Sequence, residues 1–434
     1  MELLSFALLL LMLLCVLLGT GLWIPMSLAV VGYIAMMAVH PQPGLFLASS
    51  MWESTGSWTL AALPMFVWMG EILFRTKLSE ELFNGLSPWV RWLPGRLLHV
   101  NILACGIFGS VSGSSAATCA TVSKIALPEL RRRGYDEGVA IGSLATAGTL
   151  GIMIPPSIIM VVYAVAAEVS IVRVFIAGMI PGILVMVLFS AYIAIWAVLN
   201  PDKQPAKEPA LSFQEKMRAS AQLIPCAILI IAVIGTMFIG WATATEAAGF
   251  GVLGSLILAA VTRTLTWKSF KESLMGATRL SCMIMFILAG AAFLTKAMAL
   301  TGIPSALASG VEALNLGPLG IIAILTVVYL ILGTALDGVS MIVLTTSIVV
   351  PMVQTAGFDL VWFGIFIVLL VEIAEITPPL GFNLFVMQTM TGKEQTEVAW
   401  ASLPFFLMLV LTVVLITLFP VTLVTGLPEW LLAR

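Results

Sequence analysis

Two short stretches decide the reading of this chain: GIMIPPSIIM at residues 151–160 and AEITPPLGFN at residues 374–383. Each sets two adjacent prolines inside a run otherwise apolar enough to lie in a membrane. A proline within a helix removes a backbone donor and clashes with the carbonyl of the preceding turn. Hydrocarbon holds no water to satisfy the groups so freed, so such a break is tolerated only where protein or a polar cavity surrounds it. One pair reads equally well as a structural kink; two pairs, placed alike in the two halves of one chain, ask for a common purpose.

The surroundings are those of a membrane. The 434 residues are 60% hydrophobic and 10% charged, where soluble domains carry about 25% charge. Runs at 3–20, 177–198, 223–240 and 401–425 approach or exceed the length that spans a bilayer. The first follows Glu2 with no cationic segment before it and no small-residue cleavage site after it, and reads as a retained span rather than a signal. A net charge of −2 gives no case for nucleic-acid binding, and the 5 cysteines and 2 histidines lack metal-ligand spacing. No catalytic constellation is present, so the chain is not expected to be an enzyme.

The fold class expected is an all-α integral membrane protein. Spans are placed near 1–20, 23–39, 53–75, 137–165, 172–199, 221–240, 243–262, 279–300, 358–391 and 401–425. Two further stretches, 101–127 and 318–354, are apolar but rich in small and hydroxyl residues, and are read as re-entrant hairpins. That gives ten crossings. The loops on one side then hold 17 of the 20 lysines and arginines, in segments 75–96, 124–133, 200–218, 263–279 and near 393. The basic side is expected to be cytoplasmic, with both termini outside. Segments 75–96 and 264–273 read as amphipathic arms at the membrane surface.

The halves repeat each other. Gly109-Ser110, Pro128, Tyr135-Asp136 and Pro155-Pro156 are followed by Gly333-Thr334, Pro351, Phe358-Asp359 and Pro378-Pro379, at an offset of 224 residues for the first element and 223 for the rest. The charge pattern opens the two hairpins to opposite sides, so the repeats are inverted. Residues 1–200 form the first, 201–219 a cytoplasmic linker, and 220–434 the second. Inverted repeats with interrupted helices near the midplane describe secondary transporters. A broken helix offers carbonyls and amides with partial charge at the new ends, which can hold Na⁺ or an anionic solute.

Candidate oxygen ligands cluster there. GIFGSVSGSSAATCATVS at 106–123 supplies Ser110, Ser112, Ser114, Ser115 and Thr118, with Gly109 and Gly113 permitting close backbone approach. Thr146, Gly148 and Thr149 precede the first break. The second half supplies Thr334, Asp337 and Gly338, then Thr377 and Asn383 around its break. Asp337 is a candidate for cation binding or for capping the returning helix. Glu372 and Glu375 lie in an apolar helix, while Glu71, Glu168 and Glu246 sit nearer expected ends.

LPMFVWMGEIL (63–73), the run 108–136, IGSLATAGTLGIMIPPS (141–157), ATEAAGFG (244–251), LGTALDGVSMIVLTTSIVVP (332–351) and EITPPLGFNLFV (375–386) resemble the large membrane subunit of tripartite ATP-independent periplasmic (TRAP) transporters. The resemblance covers essentially the whole chain. It implies Na⁺-driven import of a small organic anion, a C4-dicarboxylate or related acid, by an elevator movement. It also implies a periplasmic substrate-binding protein and a small four-helix membrane subunit, which this chain is too short to carry fused ahead of its first span. The setting would be a bacterial or archaeal plasma membrane, the inner one if Gram-negative. The family's ion sites fall on Ser110, Ser112, Gly113, Ser114 and Thr149, and on Gly333, Thr334, Asp337, Thr377 and Pro378. Glu375 departs from the apolar residue expected before the Thr-Pro-Pro turn, and Thr118 replaces an aspartate common in the family. The extra carboxylate could pair with a cation, hold a proton or face a polar cavity. The rival readings are a stand-alone ion-coupled carboxylate carrier and a non-transporting scaffold.

Overall fold

Residues 3–205, 212–306, 309, 317–334, 336–379 and 381–432 are described by the computed structural model. Residues 206–211 of the expected linker, Ala335 in the second hairpin and Leu380 in the second break lie outside them. The described chain is helical, with no strand among the described residues.

The first half begins with α1 (Leu3–Gly19), α2 (Ile24–Val39), α3 (Pro43–Thr55), α4 (Ala62–Leu73) and α5 (Leu78–Val90). It continues with α6 (Leu98–Ser112) and α7 (Ser115–Arg132), then α8 (Glu137–Ala147), a further turn at Leu150–Met153, α9 (Ile158–Ala166) and α10 (Ile171–Leu199). The second half comprises α11 (Phe213–Phe238), α12 (Ala244–Val261), α13 (Trp267–Thr301), α14 (Pro318–Gly333), α15 (Gly338–Thr355), α16 (Leu360–Glu375), α17 (Phe382–Thr391), α18 (Gln395–Leu418) and α19 (Gly426–Leu432).

Caps explain many of the boundaries. Asp136 accepts from the Val139 amide and Asp359 from the Trp362 amide, starting α8 and α16. Ser114 and Asp337 start α7 and α15 in the same way. A side-chain oxygen here satisfies an amide that the helix itself cannot. Both pairs of caps are 223 residues apart, so the recurrence in the sequence is a recurrence of helix starts. Thr243 and Glu246 form a capping box at α12, which accounts for Glu246 at that end.

Among the described residues five helices are long and apolar enough to cross a membrane, or up to seven if each bent pair is one span. The first bent pair, Glu137–Met153 with Ile158–Ala166, turns by 42° at the proline pair. The span expected at 53–75 is corrected: α3 ends at Thr55, Gly56 and Ser57 interrupt it, and α4 starts only at Ala62. Pro43 starts α3, as proline favours a first helical turn. The arm expected at 264–273 and the span at 279–300 are one helix of 35 residues, α13. The last span stops at Leu418 rather than 425, where Phe419 leaves the helical region.

Two packed groups result. Helix α13 lies along α2, α3 and α4, with α12 against α4. The hairpins and broken helices pack with α10 and α18. The groups meet where α13 touches α15 and α9, and where α4 touches α6 and α9. Exposed tryptophans such as Trp52, Trp58, Trp241 and Trp267 stand outward, as amphipathic rings do at a lipid surface.

The five basic segments join one another. Arg75 lies 3.9 Å from Glu272, Arg96 donates to the Pro205 carbonyl at 2.7 Å, and Lys203 lies 3.8 Å from Asp136. Glu137 pairs with Arg131 at 2.5 Å and with Lys393 at 3.5 Å. Of the outlying bases, Lys296 pairs with Glu53 at 2.5 Å, fixing α13 to α3.

In the basic loop that ends α7, Glu129 pairs with Arg132 at 2.7 Å and with Arg133 at 2.6 Å. The hydrogen bond from Arg132 holds the Glu129 carboxyl below its ordinary 4.5. A depressed carboxylate contributes stability that is present above its unfolded value and lost as pH falls through the folded one. Arg132 is 71% exposed, so the contribution is discounted to about 1 kcal/mol at most. Arg132→Met is therefore expected to lower thermal stability slightly at neutral pH and low salt. The difference should vanish in molar salt, where screening acts over about 3 Å, and fade in acid as pH falls below the ordinary carboxylate range through the depressed folded value.

Candidate functional site

Four interruptions of the chain meet at one place. The α6–α7 turn, the first proline break, the α14–α15 turn and the second break enclose a cavity of about 490 Å³, closed on one side by Leu280 and Ile284 of α13. Pockets for small ligands run from about 300 to 1,000 Å³.

The geometry begins with Gly113. Its φ of +62° is a left-handed conformation that glycine adopts without strain. This residue and Ser114 reverse the chain in two steps, bringing the start of α7 to the cavity. The helices α7, α9, α15 and α17 all begin on its wall, through Ser115, Ile158, Gly338 and Phe382. Helix starts carry unpaired amides and partial positive charge, which favours an anion. The same wall holds the ends of α14 and α16 at Gly333 and Glu375, where carbonyls face the other way.

Gly113, Ser114, Gly333 and Asp337 of the expected site line this cavity, together with Glu375. Ser112 lies beside it on a smaller cavity of about 120 Å³ shared with Ser114, Gly70 and Glu71. Its hydroxyl is 2.8 Å from that of Thr118, which donates to the Ser114 carbonyl at 2.7 Å. Ser110, Thr146, Thr149 and Thr334 each donate to a carbonyl three or four residues earlier, at 2.7–2.8 Å. A hydroxyl that donates still keeps oxygen lone pairs for another partner. Thr377 donates to Ile373 at 2.6 Å and, with Pro378, faces a separate cavity of about 330 Å³ beside Trp400.

Asn383 is wholly buried. Its carbonyl accepts from the Ser115 hydroxyl at 3.0 Å and its amide donates to the Ala145 carbonyl at 2.9 Å. It thus ties α17 to both α7 and α8. Asp337 accepts from the Ser340 amide at 3.2 Å and from the Ser340 hydroxyl, so its capping role is realised. Glu372 is 0% exposed, and neither carboxylate oxygen has a partner among the described residues.

Leu280 and Ile284 carry no signal of this role in the sequence, since nothing distinguishes them from other apolar positions of a long helix. Ser115 stood in the hydroxyl-rich run, but its partner is 268 positions away.

Over residues 9–422 the chain matches the family described as tripartite ATP-independent periplasmic transporter, DctM component. It is 33% identical over 406 residues to the C4-dicarboxylate TRAP transporter large permease protein DctM of Pseudomonas aeruginosa, covering 93% of this chain and 94% of that protein. It is 32% identical over 366 residues to the ectoine/5-hydroxyectoine TRAP transporter large permease protein UehC of Ruegeria pomeroyi, covering 83% and 84%. The solved YdaH transporter of Alcanivorax borkumensis shares the fold, with a TM-score of 0.61 at 12% identity over 88% of this chain and 89% of that one. The match takes in both hairpins and both proline breaks, and the chain belongs to the DctM component family of TRAP transporters, as the large permease subunit.

Proposed function

We propose that this subunit imports a small organic acid, a C4-dicarboxylate or a related carboxylate, together with Na⁺, and that the central cavity holds the cargo. The observation that carries the reading is the convergence of four helix starts on one cavity, which supplies a carboxylate with amide donors and partial positive charge. The relatives named for C4-dicarboxylates support the same class. The donor set fits a hard cation, which takes oxygen ligands: hydroxyls of Ser110, Ser112, Ser114, Thr146 and Thr149 with backbone near Gly113 in the first half. In the second half Gly333, Thr334, Asp337, Thr377 and Asn383 would serve. Pro155-Pro156 and Pro378-Pro379 make the breaks that free the backbone groups.

On this reading the two halves are inverted repeats, 1–200 and 220–434, and the chain crosses a plasma membrane ten times with both termini periplasmic. The hairpins and broken helices move as an elevator against α2–α4, α12 and α13. A periplasmic binding protein delivers the cargo, and a small four-helix subunit braces the scaffold.

Thermal unfolding of the purified protein in matched NaCl and KCl series tests the coupling ion. A ligand that binds only the folded state stabilises it by mass action, by about 1.4 kcal/mol at tenfold excess over Kd. A saturable rise specific to Na⁺ is expected, with a higher half-saturation in Ser112→Ala and Thr377→Ala. Superimposable curves in the two salts would defeat the assignment.

A further inference from the structure

We propose that the cargo is a zwitterion: a short carboxylic acid that also bears an ammonium or amidinium group, which Glu375 receives. This rests on the reading of the central cavity as the cargo site. Among the described residues the cavity wall carries two charged side chains, Asp337 and Glu375, and no lysine, arginine or histidine. The two carboxylates are not equivalent. Asp337 is engaged by both polar groups of Ser340 at the start of α15. Glu375 has a side-chain hydrogen bond with Ser115, but its Oε2 atom is buried and has no hydrogen-bond partner among the described residues.

Behind it, one turn earlier on α16, Glu372 is fully buried, with both oxygens unpartnered among the described residues. A buried carboxylate oxygen without a partner is unfavourable, and here three such oxygens, two of Glu372 and one of Glu375, stand within a turn of each other. Arg75, at the end of α4, is already paired with Glu71 at 2.5 Å. A molecule with carboxylates at both ends would bring a further negative charge against Glu375. A molecule with a cationic end brings up to three donors and offsets Glu372 as well. Its carboxylate end then meets the helix starts across the cavity. Ile152, Ile159 and Leu336 complete a wall that suits a short aliphatic skeleton between the two ends.

The test compares matched probes on the full-length protein in lipid nanodiscs, at saturating NaCl, by thermal unfolding. Succinate and glutarate are set against 4-aminobutyrate and 5-aminovalerate, which exchange one carboxylate for an ammonium. The amino acids are expected to stabilise the protein with at least about tenfold lower half-saturation, equivalent to about 1.4 kcal/mol. That preference should disappear in Glu375→Gln while the Na⁺ response persists. Glu375→Asp, which keeps the charge, should retain the preference and guards against a folding defect in the glutamine variant. Equal or better stabilisation by the dicarboxylates overturns the proposal, as does silence from all four probes in a protein that responds to Na⁺. Loss of the Na⁺ response in Glu375→Gln also overturns it, because Glu375 would then be an ion ligand. Absence of any Na⁺ response in the unmodified protein is a different failure, that of the functional reading beneath it.

Discussion

Gly109→Val is expected to destabilise the protein by about 3 kcal/mol and to remove its response to Na⁺. The reason is a glycine-on-glycine contact between the first hairpin and the first break. A Cβ at Gly109 would lie 2.6 Å from the Gly151 Cα and 2.8 Å from the Gly151 amide nitrogen. From the other side, a Cβ at Gly151 would lie 2.8 Å from the Thr118 hydroxyl and 3.0 Å from the Ser114 carbonyl oxygen. Backbone cannot swing aside as a flexible side chain can, so the hairpin would have to lift from α8 and the turn that follows it. Lifting it separates Ser112 and Ser114 from Thr149, all members of the donor set proposed for the cation. A loss of this size is a large share of the 5–15 kcal/mol typical of folded proteins. Gly109→Ala should fall between. Gly249→Ala is the control: nothing lies within 4 Å of its Cβ position on α12, and a helical glycine replaced by alanine gains about 0.5–1 kcal/mol. Thermal unfolding with and without Na⁺ reads all three. Wild-type stability in Gly109→Val would show that the contact is not required.

That contact also marks how far the sequence could be read. The proline pairs were legible because proline breaks a helix by its covalent structure, whatever surrounds it. The helix starts at Asp136 and Asp359 were legible as a recurring aromatic-Asp pair, since capping is local. The grouping of the basic loops followed from their charge. By contrast, the break at Gly56 and Ser57 inside the span expected at 53–75 depends on how α3 and α4 pack on α13, and the single helix through 267–301 hides an amphipathic start inside an apolar run. The hydroxyls near the breaks were legible as a set but not by direction. Thr377 shares a motif with Pro378-Pro379 yet faces a different cavity from Glu375, two residues earlier. Helix α16 ends at Glu375 and Ile376 leaves the helical region, so neighbours in a motif need not be neighbours in a site.

Asn383 shows the same limit from the other side and carries the second large effect. It is one polar residue in an apolar stretch, and what it does is decided by residues in the opposite half. Asn383→Ala removes two buried hydrogen bonds, to Ser115 and Ala145. Each is worth about 0.5–1.5 kcal/mol, and a buried group left unpaired costs about 1–3 kcal/mol more. The expected destabilisation is therefore about 2–4 kcal/mol. Ser115→Ala should cost less, since the Ala145 bond survives. In the double variant the effects should fall short of additive by about 0.5–1.5 kcal/mol, the signature of residues in direct contact. The coupling matters because α17 follows the second break, α7 follows the first hairpin turn, and α8 leads into the first break. A cavity built from four separate interruptions keeps its shape during a movement only if the interruptions are tied to one another. If the single effects add fully, Asn383 does not hold α17 to α7, and the elevator reading loses the link that joins its moving helices into a single body. If they do not, the Na⁺ half-saturation should rise in Ser115→Ala, which breaks the tie and leaves every proposed cation donor in place.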